Sequence, residues 1–271
     1  MDISRGGRGV VASFRRACRS DSRRVPRQQR AYLAALLIVF ALPLGAQDIS
    51  FDPDITQEEF HELSLALSQA TYASPVEPAT NRGLLAFDIG VAVTAIEIDE
   101  DAAFWVNSVD SDLLTDGYLL VPRAVVSKGL VFANLSAMYA KIPDSDIEIL
   151  GAALDVPIMR GSITMPTLSI RGTWSDIRGI DELDLTTYGA EVFISKGFGP
   201  FTPYAGAGIA RTESEGRIPE TEFNPAIVLQ DEFDQERFTV GLRLSFLVPK
   251  IVIEATQAEE LTYSAKFSLG L

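Results

Sequence analysis

Two hydrophobic periods run along this chain, and they divide it. Within 56–70, Phe60, Leu63 and Leu67 recur at helical spacing, and Glu58 and Glu59 sit near the start, where they complement the helix dipole. Pro75, Pro78 and Asn81 end that pattern. From about residue 84 the period is two. Phe87, Ile89, Val91 and Val93 alternate with Asp88, Gly90, Ala92 and Thr94, and the stretches 237–246 and 262–271 alternate in the same way. Such alternation marks strands with one apolar and one polar face. Runs of about 9–11 residues match the length a tilted strand needs to cross a bilayer.

Ten strands are expected, near 84–97, 118–127, 130–141, 146–158, 162–174, 183–196, 201–212, 234–247, 250–257 and 261–271. Tight links fall at 127–129, 159–162, 197–200 and 248–250; longer, acidic or Gly-bearing links fall at 99–117, 142–145, 175–182, 212–233 and 257–260. Short turns at one end, longer loops at the other and an even strand number predict an all-β fold. The pattern is a transmembrane antiparallel up-and-down β-barrel with a short N-terminal amphipathic helix. Tyr118, Tyr139, Trp174, Tyr188, Phe201 and Tyr263 are placed to form aromatic girdles, and the last strand ends on the apolar Leu271.

The first 46 residues change the picture of where the barrel goes. Nine Arg lie within 1–30, and an apolar run of twelve residues, 31–42, follows, then Pro43 and the small residues Gly45 and Ala46. That is the layout of a secretory signal peptide, with too few apolar residues to span a bilayer as a helix. The division expected is a signal peptide over 1–46, a periplasmic helix and linker over 47–80, and an outer-membrane barrel over 81–271. The helix is placed outside the main domain or against its base. Both termini are expected in the periplasm of a Gram-negative cell.

Charge and scarce residue types narrow the function. Nine of the 23 cationic and two of the 37 acidic residues fall in 1–30, leaving 14 basic and 35 acidic residues beyond it, a net −21. Phosphates would repel such a chain, so nucleic acid is not an expected partner. The sole Cys, Cys18, lies in the leader, and the sole His is His61. No disulfide framework, multi-histidine metal cage or triad independent of His61 is available. No strand carries the histidine that outer-membrane phospholipases and acyltransferases use. No enzyme activity, cofactor or metal is expected.

The stretch Ile170-Arg-Gly-Thr-Trp174, then Gly179-Ile-Asp-Glu-Leu-Asp-Leu-Thr-Thr-Tyr-Gly-Ala-Glu-Val-Phe-Ile-Ser-Lys-Gly-Phe198, then Phe201-Thr-Pro-Tyr-Ala-Gly-Ala-Gly208 resembles a family of bacterial outer-membrane β-barrel proteins, similar in layout to small porin-like and OmpW-like barrels. The motif is a strand, a periplasmic turn and a returning strand. The resemblance implies fold and location, and it carries over no functional residue.

Gly206-Ala-Gly208 lacks the third glycine and the helix of a nucleotide loop, so close packing inside a barrel is the better reading. Asp110, Asp112 and Asp116 have calcium-loop residue types at the wrong spacing. The polar strand faces are more informative. They carry Asp88, Arg123, Asp155, Arg171, Glu191, Arg237, Arg243, Glu254 and Lys266. Charges in a narrow lumen must pair or reach water. Strand adjacency predicts pairs of Arg171 with Asp155 and Glu191, Arg243 with Glu254, Glu254 with Lys266, Lys266 with Asp88, and Asp88 with Arg123.

The leading expectation is a structural or narrow-channel outer-membrane protein with a charge-paired, largely filled lumen. Its partners would be outer-membrane lipids, the barrel-assembly machinery during insertion, and a small solute if the lumen conducts. One alternative is a barrel that takes a small hydrophobic ligand near Phe104 and Trp105 in the first long loop. Another is a soluble, lipocalin-like periplasmic binding protein.

Overall fold

The computed structural model describes residues 55–80, 82–99, 102–106, 114–115, 117–142, 147–180, 182–218 and 226–270. The leader, the mature start at Gln47, Asp110, Asp112, Asp116 and Leu271 lie outside the described residues. Ten antiparallel strands follow one another in space as in sequence: β1 (Phe87–Glu97), β2 (Tyr118–Gly129), β3 (Asn134–Lys141), β4 (Glu148–Met159), β5 (Thr167–Arg178), β6 (Leu183–Ser195), β7 (Phe201–Ile218), β8 (Ile227–Ser245), β9 (Pro249–Gln257) and β10 (Leu261–Gly270). A two-residue ladder, Leu114–Thr115, lies against the start of β2. β1 pairs with β2 along Phe87–Lys128 to Glu97–Tyr118, and with β10 along Asp88–Gly270 to Ile96–Thr262. The sheet therefore closes on itself as a ten-stranded up-and-down barrel, which leaves no strand edge unpaired.

The expected strands match these within a few residues, with one larger difference. β7 and β8 continue past the expected barrel edge, pairing Arg211–Asp234 through Ile218–Ile227. Acidic residues make 212–233 read as loop. In the structure most of the charges face outward and side chains bond across the hairpin, Arg211 with Glu232 and the neutral Gln230 to Glu215 at 2.9 Å, while Asp231 turns inward to His61. Ile218 is buried and Leu229 partly so, which keeps an inward apolar face.

Outside, the wall is apolar from the girdle downward. Ile89, Leu154, Ile170, Val192, Val240, Ile253 and Phe267 are all exposed, and so are five of the six expected girdle residues, Tyr139, Trp174, Tyr188, Phe201 and Tyr263, whereas Tyr118 is half-buried.

Inside, the barrel is occupied. α1 (Gln57–Thr71) begins with a capping box, in which the Thr56 side chain accepts from the Glu59 amide while the Glu59 carboxylate accepts from the Thr56 amide. Phe60, Leu63 and Leu67 pack on Ile96, Leu119, Val121, Ile149, Ile177 and Leu183, all inward-facing near the long-loop end. The remaining faces of the helix meet the wall through hydroxyls, Ser64 to Ser214 at 2.8 Å and Ser68 to Gln235 at 2.8 Å. From Leu63 onward no residue of the helix is exposed on any side, as expected of an element that others surround, while Gln57, Glu58 and Glu62 in its first turns reach the rim. The expectation that it lies outside the barrel or against its base is therefore corrected. The three-residue apolar stripe reads as one-sided from sequence. Short hydroxyl residues on its other faces allow it to fit inside a polar-lined wall.

Candidate functional site

The lumen is the site the fold builds, and its lower half is where the charges meet. From Tyr72 to Thr80 the chain descends inside the barrel without regular secondary structure, and Arg82 stands between it and β1. Burial of Tyr72, Ala73, Val76, Glu77 and Ala79 follows from that path. The segment forms no ladder with the strands, so its backbone carbonyls need other donors. The inward side chains of the wall supply them. Arg123 donates to the carbonyls of Tyr72 at 2.9 Å and Ala70 at 3.3 Å; Arg171 donates to Glu77 O at 2.8 Å. Lys266 donates to Pro75 O at 2.8 Å, Asn134 to Thr80 O at 2.7 Å, and Ser195 to Ala79 O.

Glu77 is the hub of this arrangement. Its carboxylate pairs with Lys266 and Arg82 and accepts from Ser127 Oγ at 3.4 Å. The Glu77, Lys266 and Arg82 side chains are each at most 8% exposed.

All nine expected lumen residues point inward. Eight are buried, and Arg243 is half-buried. Their pairing differs from the expectation at most steps. Arg171 does bind Asp155, with Nη2 at 2.8 Å and Nε at 3.1 Å from one oxygen. Glu191 lies opposite Arg171 in the ladder, yet its ion-pair partner is Arg237 at 3.9 Å. Asp88 takes Lys250 at 2.7 Å, in place of Lys266 and Arg123. Glu254 accepts from Tyr204 Oη at 2.7 Å and Ser74 Oγ at 3.1 Å, in place of Arg243 and Lys266. Arg243 donates to Thr202 Oγ1 at 3.4 Å. One cause accounts for most of these differences. The threaded segment brings carbonyls and a carboxylate into the lumen, and the wall cations turn to it.

Aromatic faces complete the cation environments. The Arg171 guanidinium lies 4.0 Å from the Phe193 ring centroid, and that of Arg237 lies 3.7 Å from the Tyr72 centroid. Glycines on the wall make room for the rings. A Cβ on Gly189 would fall 2.4 Å from Tyr72 Oη, and one on Gly216 would fall 2.5 Å from the Phe60 ring. Beside Arg123 a void of about 10 Å³ remains, room for one water at most.

Glu77, Arg82, Lys250, Tyr72 and Tyr204 are the functional side chains that strand alternation misses. Glu77 and Tyr72 lie on the non-periodic linker, where no rule of faces applies. The signal that could have found Glu77 is its isolation, because it is the only acid between Glu62 and Asp88.

At the long-loop end, Phe104 and Trp105 fall on a single helical turn, α2 (Ala103–Val106). The Trp105 side chain is 3% exposed within the apolar cluster around α1, and Phe104 packs against that cluster with its ring 6.4 Å from Trp105 in a T-shaped contact. Both residues cover the helix, and the expected ligand contact is occupied by the protein itself. His61 stands at the rim, with Nδ1 2.6 Å from Asp231 and its ring edge-on to Phe233. An open cleft of about 430 Å³ between β6, β7 and β8 is lined by Asp184, Glu213, Glu215, Asp231 and Glu232 among others. Among the described residues no group of acids and histidines has metal-binding geometry.

No family model and no curated protein matches the chain. Among solved structures, it is similar to the N-terminal β-barrel domain of Pseudomonas aeruginosa OprF, at 8% identity and TM-score 0.33, covering 70% of this chain and 100% of that one. It is also similar to Ail, the attachment invasion locus protein of Yersinia pestis, in complex with a heparin analogue, at 10% identity and TM-score 0.24, covering 68% and 94%. A third is a bacterial polysaccharide outer membrane secretin, at 7% identity and TM-score 0.24, covering 70% and 100%.

Proposed function

We propose that the protein is a non-catalytic outer-membrane β-barrel whose own N-terminal segment closes its lumen, so that its resting role is structural rather than conductive. The observation that carries this reading is the occupied interior: α1 fills the upper lumen, and the segment 72–80 fills the lower. The exterior supports the membrane setting. A ten-stranded wall with Ile, Val, Leu and Phe exposed on all sides would aggregate in water and is at home in lipid. A soluble lipocalin-like carrier would need the opposite exterior. The outward apolar alternation of β10 is also a surface that barrel-assembly machinery could engage during insertion.

The first test is planar-bilayer recording of the purified mature protein, after recovery from the outer-membrane fraction. The intact barrel should show conductance that is small or absent. Deleting 57–80 should produce stable open-channel steps, since a ten-stranded wall is wider than the eight-stranded kind that side chains just fill. Large, weakly selective steps from the intact protein would overturn the closed-lumen reading. Recovery in the soluble fraction would overturn the membrane reading.

A further inference from the structure

The short-turn end of the barrel is built unlike a surface meant for bulk water. Each of its four strand connections presents an apolar side chain, Phe132 at 74% exposure, Ile163 at 98%, Phe198 at 61% and Leu247 at 98%, and the segment that enters β1 adds Leu85 at 90%. Leu247 adopts a left-handed backbone with φ of 55°. Glycine or asparagine would hold that conformation at less cost and would suit water better.

The turn backbones are also supplied with donors. Lys128 Nζ donates to Leu84 O at 2.8 Å, and Arg160 Nη2 donates to Val131 O at 3.2 Å. Lys196 Nζ donates to the carbonyls of Ser162, Ile163 and Met165 at 2.9, 2.7 and 3.2 Å. Two connections and the segment entering β1 are thus each clipped by a cation from a neighbouring strand or turn. In water those carbonyls would need no such help, whereas in a membrane interface they would. Among the described residues none of these three cations is in an ion pair. The strand carboxylates nearest this end, Asp88, Asp155 and Glu191, are all buried inside the barrel.

The height of the apolar wall points the same way. From the girdle residue Tyr188 to the last outward apolar residue of β6, Ile194, is six residues, and so is the distance from Tyr263 to Leu269 on β10. On a tilted strand six residues rise about 15 Å, well short of the apolar band of about 25 Å that barrels present to lipid. Counting on to the tip at Phe198 makes ten residues and about 25 Å.

We propose that the short-turn end is seated in the membrane, its apolar tips immersed at the boundary of the leaflet and Lys128, Arg160 and Lys196 facing anionic phospholipid headgroups. This rests on the membrane reading above and adds to it the depth at which the barrel sits and the lipid class it prefers.

Environment-sensitive labels placed through Ile163→Cys, Leu247→Cys, Val240→Cys and Glu213→Cys, each in the chain from Gln47 onward, which has no other cysteine, test it in vesicles of phosphatidylcholine with phosphatidylglycerol. Labels at 163 and 247 should be quenched by nitroxide lipid and shielded from aqueous iodide, as at the wall position 240, while the rim position 213 should be open to iodide. Iodide access at 163 and 247 with lipid quenching retained at 240 would overturn this proposal alone. Loss of lipid quenching at 240 would overturn the membrane reading itself. For the headgroup class, omitting phosphatidylglycerol should lower lipid quenching at 163 several-fold. The Lys128→Gln/Arg160→Gln/Lys196→Gln variant should lose that dependence, and the arginine versions of both lysines should keep it. Equal quenching with and without phosphatidylglycerol would overturn the anionic preference.

Discussion

Lys266, Arg82 and Ser127 all turn to one carboxylate, that of Glu77. Removing the Glu77 charge would leave Lys266 buried with Pro75 O as its remaining partner. Glu77→Gln should therefore destabilise the folded barrel by about 3–5 kcal/mol, the usual cost of orphaning a buried ion. Urea unfolding in detergent, followed by tryptophan fluorescence, measures this. Adding Lys266→Met should recover part of the loss, because the orphaned charge is then gone. A loss below about 1 kcal/mol would mean that water reaches the pair. At the opposite end, partial burial, then Glu97 and Glu259, push the Glu260 carboxyl above its ordinary range. A raised carboxyl opposes folding only where it is charged. The penalty is absent below the ordinary carboxyl range and grows as pH rises through the raised value. Glu260→Gln should stabilise at neutral pH and have no effect near about pH 4, read by unfolding at both. The inward direction of all nine strand charges was legible from alternation alone. Their partners were not, because a linker carbonyl leaves no mark in residue type.

Among the elements, strands were the most readable, since a period of two with apolar residues outward survives as long as lipid-like surface and lumen differ. Reading failed where that contrast reversed. Leu130, Val131 and Phe132 continue an apolar run and read as strand, but they form a turn, with Leu130 donating to Ala133 O at 2.7 Å. The β7–β8 extension is the converse case, a true ladder with charges on its outer face. The helix was legible in place and length, and illegible in its surroundings. Its fit against the wall is tight at Gly216, where a Cβ would meet the Phe60 ring. Gly216→Leu should thus displace α1 while leaving the ladder closed. Trp105 is buried on the same cluster, so its emission should shift to the red with little loss of strand circular dichroism. An unshifted emission would mean that the ring moves aside without the helix.

At the scale of the whole molecule, barrel closure followed from strand number and loop alternation, but the occupant of the lumen did not. The described chain begins near the long-loop end, where Ile55 is buried among Ile98, Ile142 and Ile218, and runs down through the interior to β1. The last seam to form in sequence is β1 with β10, closing nine registered pairs around that segment. This ordering has a consequence in time. A wall that closed empty would then have to admit the helix and the segment 72–80 end-first through a passage they fill but for a void of about 10 Å³. A wall that closes around them needs no such passage. The segment is accordingly a former on which the cylinder is laid, present before the seam is sealed. A barrel refolded without 57–80 should still close, but more slowly than the intact chain. Supplying 55–82 as a free peptide should restore the rate when it is added to the unfolded chain, and should do nothing once the seam has shut.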